Sequence, residues 1–266
     1  MSQSPFRTID NVVLALERGI PDVIGKVGIS DQVHVGVLIE TAICRKAYPE
    51  ISELLEKQLN GNAVSSLTAS LSRPLVNVNG SDGKNLWGFL SFEPGESKIC
   101  QERIHQFQLA ARKAMRFQRN ETAAKQRLCG AIGEMIDNIY EHSEAVSTGL
   151  VGFYADDHVF QLAVGDSGIG ILASLRNNPA YRFLKDAGSA MTLALEDGVS
   201  RLGSTADRGR GFGVLFRALN SLDADLRFRS GAYSLELSGR NVTLRQARIL
   251  QKAQLNGFVV SLSLSL

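Results

Sequence analysis

The sequence predicts an α/β protein in two parts: a smaller, mainly helical α+β region over residues 1–118, and a C-terminal domain over residues 119–266. Three observations predict it. Residues 120–143 carry apolar side chains at three- and four-residue spacings, the period of a helix with one packed face. "GLVGFYADDHVFQLAVGDSG" alternates as two strands about a tip at Asp156 and Asp157. The chain then closes on "LRFRSGAYSLELSG" and "NGFVVSLSLSL", whose period of two suits half-buried strands.

From the N-terminus, "NVVLALERGIPDVIGKV" and "VHVGVLIETAICRKAYPEISELLEKQL" read as helices, with Pro21 and Pro49 at helix starts or breaks. "LNGNAVSSL" reads as a turn region. "RPLVNVNGSDGKNLWGFLSF" reads as two strands joined by a turn from Asn79 to Lys84, whose Gly, Asn and Asp residues tolerate positive φ. Ser97 is placed to cap the helix that follows, and the next helix starts near Asn120. "GSDGKN" is not a phosphate-binding P-loop, because Val78 and Asn85 stand where that motif needs Gly and Ser or Thr.

Composition excludes several classes. The 266 residues are 44% hydrophobic and 21% charged, with 29 Lys/Arg against 27 Asp/Glu and a net charge of +2. That balance gives no nucleic-acid or anionic-membrane signal. Cys44, Cys100 and Cys129 are scattered and form no CxxC, which argues against a disulfide framework or zinc site and for a cytoplasmic location. No run reaches the roughly 18 apolar residues of a membrane span. Trp87 is expected in the core, His34 and His158 on strands or the surface, and His105 as a structural histidine rather than a phosphoacceptor.

Chemistry concentrates in three short segments. In "EMIDNIYEHS", Glu134, Asp137, Asn138, Glu141 and His142 share one arc of an ideal helix, and Leu128, Ile132, Met135, Ile136 and Ile139 share the opposite one. A carboxylate there can orient or deprotonate water, and the amide oxygen of Asn138 is a hard ligand suited to Mg²⁺ beside phosphates. "GDSGIGI" sets Asp166 at the end of an apolar strand, where it can accept a hydrogen bond from an adenine amino group. "DRGRGFGV" spaces Gly209, Gly211 and Gly213 ahead of a helix, so that backbone amides can approach an anion.

In this order the three segments resemble the boxes of the GHKL ATPase superfamily, which includes gyrase B, Hsp90, histidine kinases and MutL; the resemblance covers about residues 119–266. It implies an α/β sandwich, with a helix layer on one face of a mixed, mostly antiparallel sheet, and it implies ATP and Mg²⁺ as cofactors. Carried over residue by residue, Asn138 of the Glu134–Asp137–Asn138 box ligates Mg²⁺, and Glu134 is the general base. Asp166 binds adenine, Gly168 and Gly170 shape its pocket and the lid hinge, and residues 171–208 form the lid. Gly209, Gly211, Phe212 and Gly213 wrap the phosphates. His142 belongs to the "EHS" ending, which is similar to that of some histidine kinases. Glu141 departs from a common basic residue, a contact that Arg208 or Arg210 would restore. Ser261 is the nearest hydroxyl to a Thr common near the closing strand.

Three functions are compatible with that resemblance. The first is a slow ATPase coupling lid closure to a protein partner or to residues 1–118. The second is a histidine-kinase-like or anti-sigma-type protein kinase. The third is a nucleotide-gated binding module. No transducer follows the last glycine box, which argues against a self-contained clamp. Residues 1–118 resemble no known unit and are expected to dimerise, sense a ligand or dock a partner.

Overall fold

The computed structural model describes residues 5–26, 34–52, 77–82, 85–93, 98–116, 122–194, 215, 219, 222–240 and 246–266. Helices α1 (Arg7–Glu17) and α2 (Val35–Cys44) lead into strands β1 (Asn77–Asp82) and β2 (Asn85–Ser91). Helices α3 (Lys98–Ala114) and α4 (Thr122–His142) follow, then the hairpin β3 (Leu150–Ala155) and β4 (Val159–Asp166). Helices α5 (Gly170–Arg176) and α6 (Ala187–Ala194) precede the long strands β5 (Ala224–Gly239) and β6 (Arg248–Ser265). The strands form one six-stranded sheet in the order β1-β2-β3-β4-β6-β5, and each neighbouring pair is antiparallel.

Strand alternation divides the apolar residues between two cores, one on each face of the sheet. Val151, Phe153, Leu162, Val164, Val260 and Leu262 pack with α3, α4 and α6. Trp87, Phe89, Leu150, Ala163 and Val259 pack with α1 and α2. The apolar arc read in α4 supplies the first core: Leu128, Ile132, Met135, Ile136 and Ile139 are all buried. The resemblance implies helices on one face of the sheet; here α1 and α2 cover the other face as well.

That second layer corrects the expected division at residue 118. Strand β2 pairs with β3 from Leu86↔Ala155 to Ser91↔Leu150, so the sheet runs across the boundary. Helix α2 buries all ten of its residues within this chain, which leaves no free α2 face for a dimer. The physical reason lies in the sheet. Both faces of β3, β4 and β6 carry apolar side chains, and each face needs a cover.

Local chemistry fixes the other elements. Asp156 turns the β3–β4 hairpin, its Oδ1 accepting the N–H groups of His158 (2.8 Å) and Val159 (2.9 Å). In the β1–β2 hairpin the pairing continues to Asp82↔Asn85, so the strands reach further into the expected turn than the sequence implies. His34 is not on a strand and is partly buried. It caps α2, its Nδ1 accepting the Val37 N–H at 3.4 Å, and burial pushes its pKa down to about 4. No helix among the described residues is long and apolar enough to cross a membrane.

The β5–β6 pair is regular from Ala224↔Leu264 to Ser230↔Phe258 and then shifts register at Ser230/Gly231 and again before Tyr233. Gly231 (φ 56°) and Gly257 (φ 85°) take the left-handed backbone that this double bulge requires. Beyond it, the hairpin continues past β4 and lies against α1 and α6, with Gln254 N–H donating to Glu17 Oε1 at 3.0 Å.

Candidate nucleotide site

The C-terminal end of α4 meets the C-terminal end of β4, and the junction is stitched by short-range bonds. Ser143 Oγ donates to Ile139 O (2.6 Å) and accepts from Ala145 N–H (3.0 Å). The Ser143 carbonyl accepts the Ile169 N–H at 3.0 Å. Gly168 lies so close to this junction that a Cβ there would sit 1.9 Å from Ser143 O. The glycine is therefore needed for close approach of the loop to α4. Its positive-φ neighbour Gly170 opens α5, where a Cβ would meet Ser230 Oγ at 2.8 Å.

A small pocket lies at this junction, lined by Asn138, His142, Ser143, Asp166, Gly170, Ile171, Ser174, Phe228 and Phe258. Its volume is about 40 Å³, room for a water or two. Anything larger enters only when side chains such as Ile171 or Phe258 move aside. In this wall Asn138 Nδ2 and Asp166 Oδ2 are buried and have no hydrogen-bond partner among the described residues. Buried polar groups are normally satisfied, so such a pair in one cavity is where a water or a polar ligand group would bind.

Asp166 is fully buried. Its Oδ1 accepts the Gly168 N–H at 2.7 Å, while burial pushes the carboxyl up to about 7 against the pull of that bond. The apolar side of the pocket is made by the rings of Phe228 and Phe258, 6.3 Å apart and edge to face.

The sequence-derived residues distribute unevenly about this pocket. Asn138, His142, Asp166 and Gly170 line it, and Gly168 supports it from behind. Glu134 lies half-buried one helical turn before Asn138, and Asp137 is exposed beside it. His142 Nε2 sits 3.9 Å from Glu141 Oε2. Arg208, Gly209, Arg210, Gly211, Phe212 and Gly213 lie outside the described residues, as do residues 195–208 of the expected lid. The described part of that lid is ordered structure: α5, the Pro179–Tyr181 turn and α6, held by a small core of Leu175, Leu184 and Ala190.

Ser261 is a correction. It pairs with Ala163 and faces α2, where Gly36 makes room for its hydroxyl. Asp166 pairs instead with Phe258, and even-numbered residues of β6 from Phe258 to Leu264 share its face. An odd-numbered side chain in that stretch is therefore turned away from the pocket. Sequence reading missed Phe228, Phe258, Ile171, Ser174 and Ser143 as lining residues. The parity of β6 relative to Asp166 is the signal that selects Phe258, and it needs the register to be read. No family model, curated protein or solved structure matches this chain.

Proposed function

We propose that this chain binds ATP with Mg²⁺ in the α4–β4 pocket, with the fold and box chemistry of the GHKL superfamily, and hydrolyses it slowly. The observation that carries the reading is the meeting of two sequence boxes in one cavity. Asn138 and Asp166, 28 residues apart in the chain, both line it, and each has a buried polar atom with no hydrogen-bond partner among the described residues. The donor set fits the ligand. A carboxylate oxygen suits the amino group of adenine, and the apolar wall made by Phe228 and Phe258 suits one side of its ring. The Asn138 atom without a partner among the described residues is Nδ2, an N–H donor suited to a phosphate oxygen; its amide oxygen is the Mg²⁺ ligand that the resemblance implies.

In this reading the base enters beside Asp166 as Ile171 and Phe258 move aside, and the phosphates extend along α4 toward Glu134. Glu134 orients or deprotonates the attacking water, and catalysis is positioning and electrostatics rather than covalent chemistry. Glu134 stands half-buried one helical turn from Asn138, and its role as the base rests on the resemblance of its box. A protein kinase acting on a partner is the second reading, and it differs only in the group that receives the phosphoryl.

Asn138→Ala is expected to abolish Mg²⁺-dependent ATP binding while the circular dichroism spectrum stays that of the wild type. Calorimetry with Mg²⁺ and with chelator decides it, and undiminished affinity in the variant defeats the metal assignment. Phosphate release from γ-labelled ATP then separates the two readings. Release by the wild type and not by Glu134→Ala identifies a hydrolase. Tight ATP binding without release from either moves the function to phosphotransfer or nucleotide gating.

A further inference from the structure

The pocket is fixed from behind, across the sheet, by residues that do not touch it. On β5, Phe228 and Ser230 face the pocket side, while Arg227 and Arg229 face α1 and α2. Arg229 is buried, and its guanidinium fork spans the double bulge. Nε donates to Glu40 Oε1 of α2 (3.1 Å), Nη1 to the Tyr233 carbonyl (3.2 Å) and Nη2 to the Ala253 carbonyl (3.0 Å). Arg229 thus supplies partners for carbonyls on both strands just beyond the register shifts.

The same bulge holds the pocket from its other side. Ser230 Oγ donates to the Gly257 carbonyl (2.7 Å) and accepts the Ile171 N–H (3.1 Å), which pins the first turn of α5 to β5 and β6. Gly257 presses on Asp166 so closely that a Cβ would lie 1.9 Å from the Asp166 carbonyl. A second contact from the N-terminal layer reaches the same loop, where Ser167 Oγ donates to the Ile43 carbonyl of α2 at 3.5 Å. Helix α2 is therefore linked to Asp166 and Ile171 through two short chains of packed polar contacts.

We propose that Arg229, held by Glu40, is a positioning residue for the nucleotide pocket, so that the α1–α2 layer sets nucleotide affinity across the sheet. The inference rests on the nucleotide reading above and adds to it the route by which residues 1–118 act on the site. Moving α2 shifts the bulge, and the bulge carries Gly257, Ser230 and with them Asp166 and Ile171. Coupling of this kind is reciprocal. Whatever α2 does to nucleotide affinity, the nucleotide does to α2.

Two measurements on the full chain test it, with Mg·ATP as the probe. In the wild type, saturating Mg·ATP is expected to slow amide hydrogen exchange over α2, although no α2 residue lines the pocket. Unchanged exchange in α2 while the pocket loops become protected overturns the inference and leaves the nucleotide reading standing. Exchange unchanged everywhere, with no ATP bound, overturns both.

Calorimetry at low temperature then compares Arg229→Met with Phe107→Leu, a destabilising change on the pocket's own face of the sheet, where Phe107 packs on Phe153 and does not line the pocket. Arg229→Met is expected to weaken Mg·ATP binding about tenfold or more at unchanged stoichiometry, with Phe107→Leu close to wild type. Arg229→Lys keeps the charge beside Glu40 but not the planar fork, and it is expected to restore only part of the loss. Equal affinity in Arg229→Met and wild type, or an equal loss in Phe107→Leu, overturns the proposal.

Discussion

Arg227→Met is expected to destabilise the fold by about 3 kcal/mol or more, the range for breaking a buried ion pair from one side. Arg227 is 4% exposed and holds three carboxylates. Nε and Nη2 donate to Glu40 at 3.0 Å each, Nη2 to Asp10 at 2.5 Å and Nη1 to Glu236 at 2.6 Å. Its guanidinium also lies 4.4 Å from the centre of the Phe6 ring. Arg229, Lys252 and Arg248 remain beside Glu40, Asp10 and Glu236 in the variant, which limits the loss. Glu40 nonetheless keeps one guanidinium where it had two, in a site with no access to water.

Urea unfolding monitored by circular dichroism measures this as a lower midpoint with an unchanged slope. A midpoint within error of the wild type shows that the network contributes nothing net. The wild-type network also has a pH signature. Burial pushes the Glu40 carboxyl up, but Arg227 and Arg229 outweigh burial and hold it below the ordinary value. Its contribution is present above the ordinary glutamate range and is lost as pH falls through the depressed folded value.

This network was the least legible part of the molecule. In the sequence, the segment that carries Glu40 reads only as a helix; in the fold, α2 is buried on all sides, and its one carboxylate meets arginines 187 and 189 residues away. Local spacing holds no information about that distance. The same limit explains the misplaced boundary at residue 118. Strands β1 and β2 were read correctly as a hairpin, but their edge pairing with β3 is a long-range event.

Where the chemistry is local, the reading was closer. The period of α4 separated its buried and polar arcs, and the strand-end position of Asp166 followed from the apolar run before it. Ser261 marks the border between the two cases. Its alternation was visible, but the face it belongs to depends on the Asp166↔Phe258 register. The phosphate-wrapping role assigned to Gly209, Gly211 and Gly213 lies outside the described residues and stands on the sequence alone.

Asp166→Asn is expected to make the ligand-free protein more stable above neutral pH and, at the same time, to lose ATP. The carboxyl is held at about 7 by burial, against an ordinary value of 3.8, so the fold favours its protonated form. Below the ordinary value the residue costs the fold nothing. As pH rises from there through about 7, the unfolded chain releases the proton first and native stability falls. The difference in pKa corresponds to about 4 kcal/mol once both states are ionised.

Asparagine keeps the shape, and its Oδ1 can still accept the Gly168 N–H, but it carries no charge to desolvate. The stabilisation of the variant over the wild type should therefore be small at pH 4 and largest at pH 8, which urea unfolding at the two values measures. A variant less stable than the wild type at pH 8 would mean that the carboxylate is well satisfied in the ligand-free state. Binding should move the other way. The amide nitrogen in place of Oδ2 offers a donor where the adenine amino group is also a donor, so ATP affinity should fall about tenfold or more. The same donor suits the carbonyl of guanine, and the preference for ATP over GTP should shrink with it. On the nucleotide reading the unpaired carboxylate finds its partner in the ligand, and only both signs together, a firmer fold and a weaker grip on adenine, support that account of Asp166.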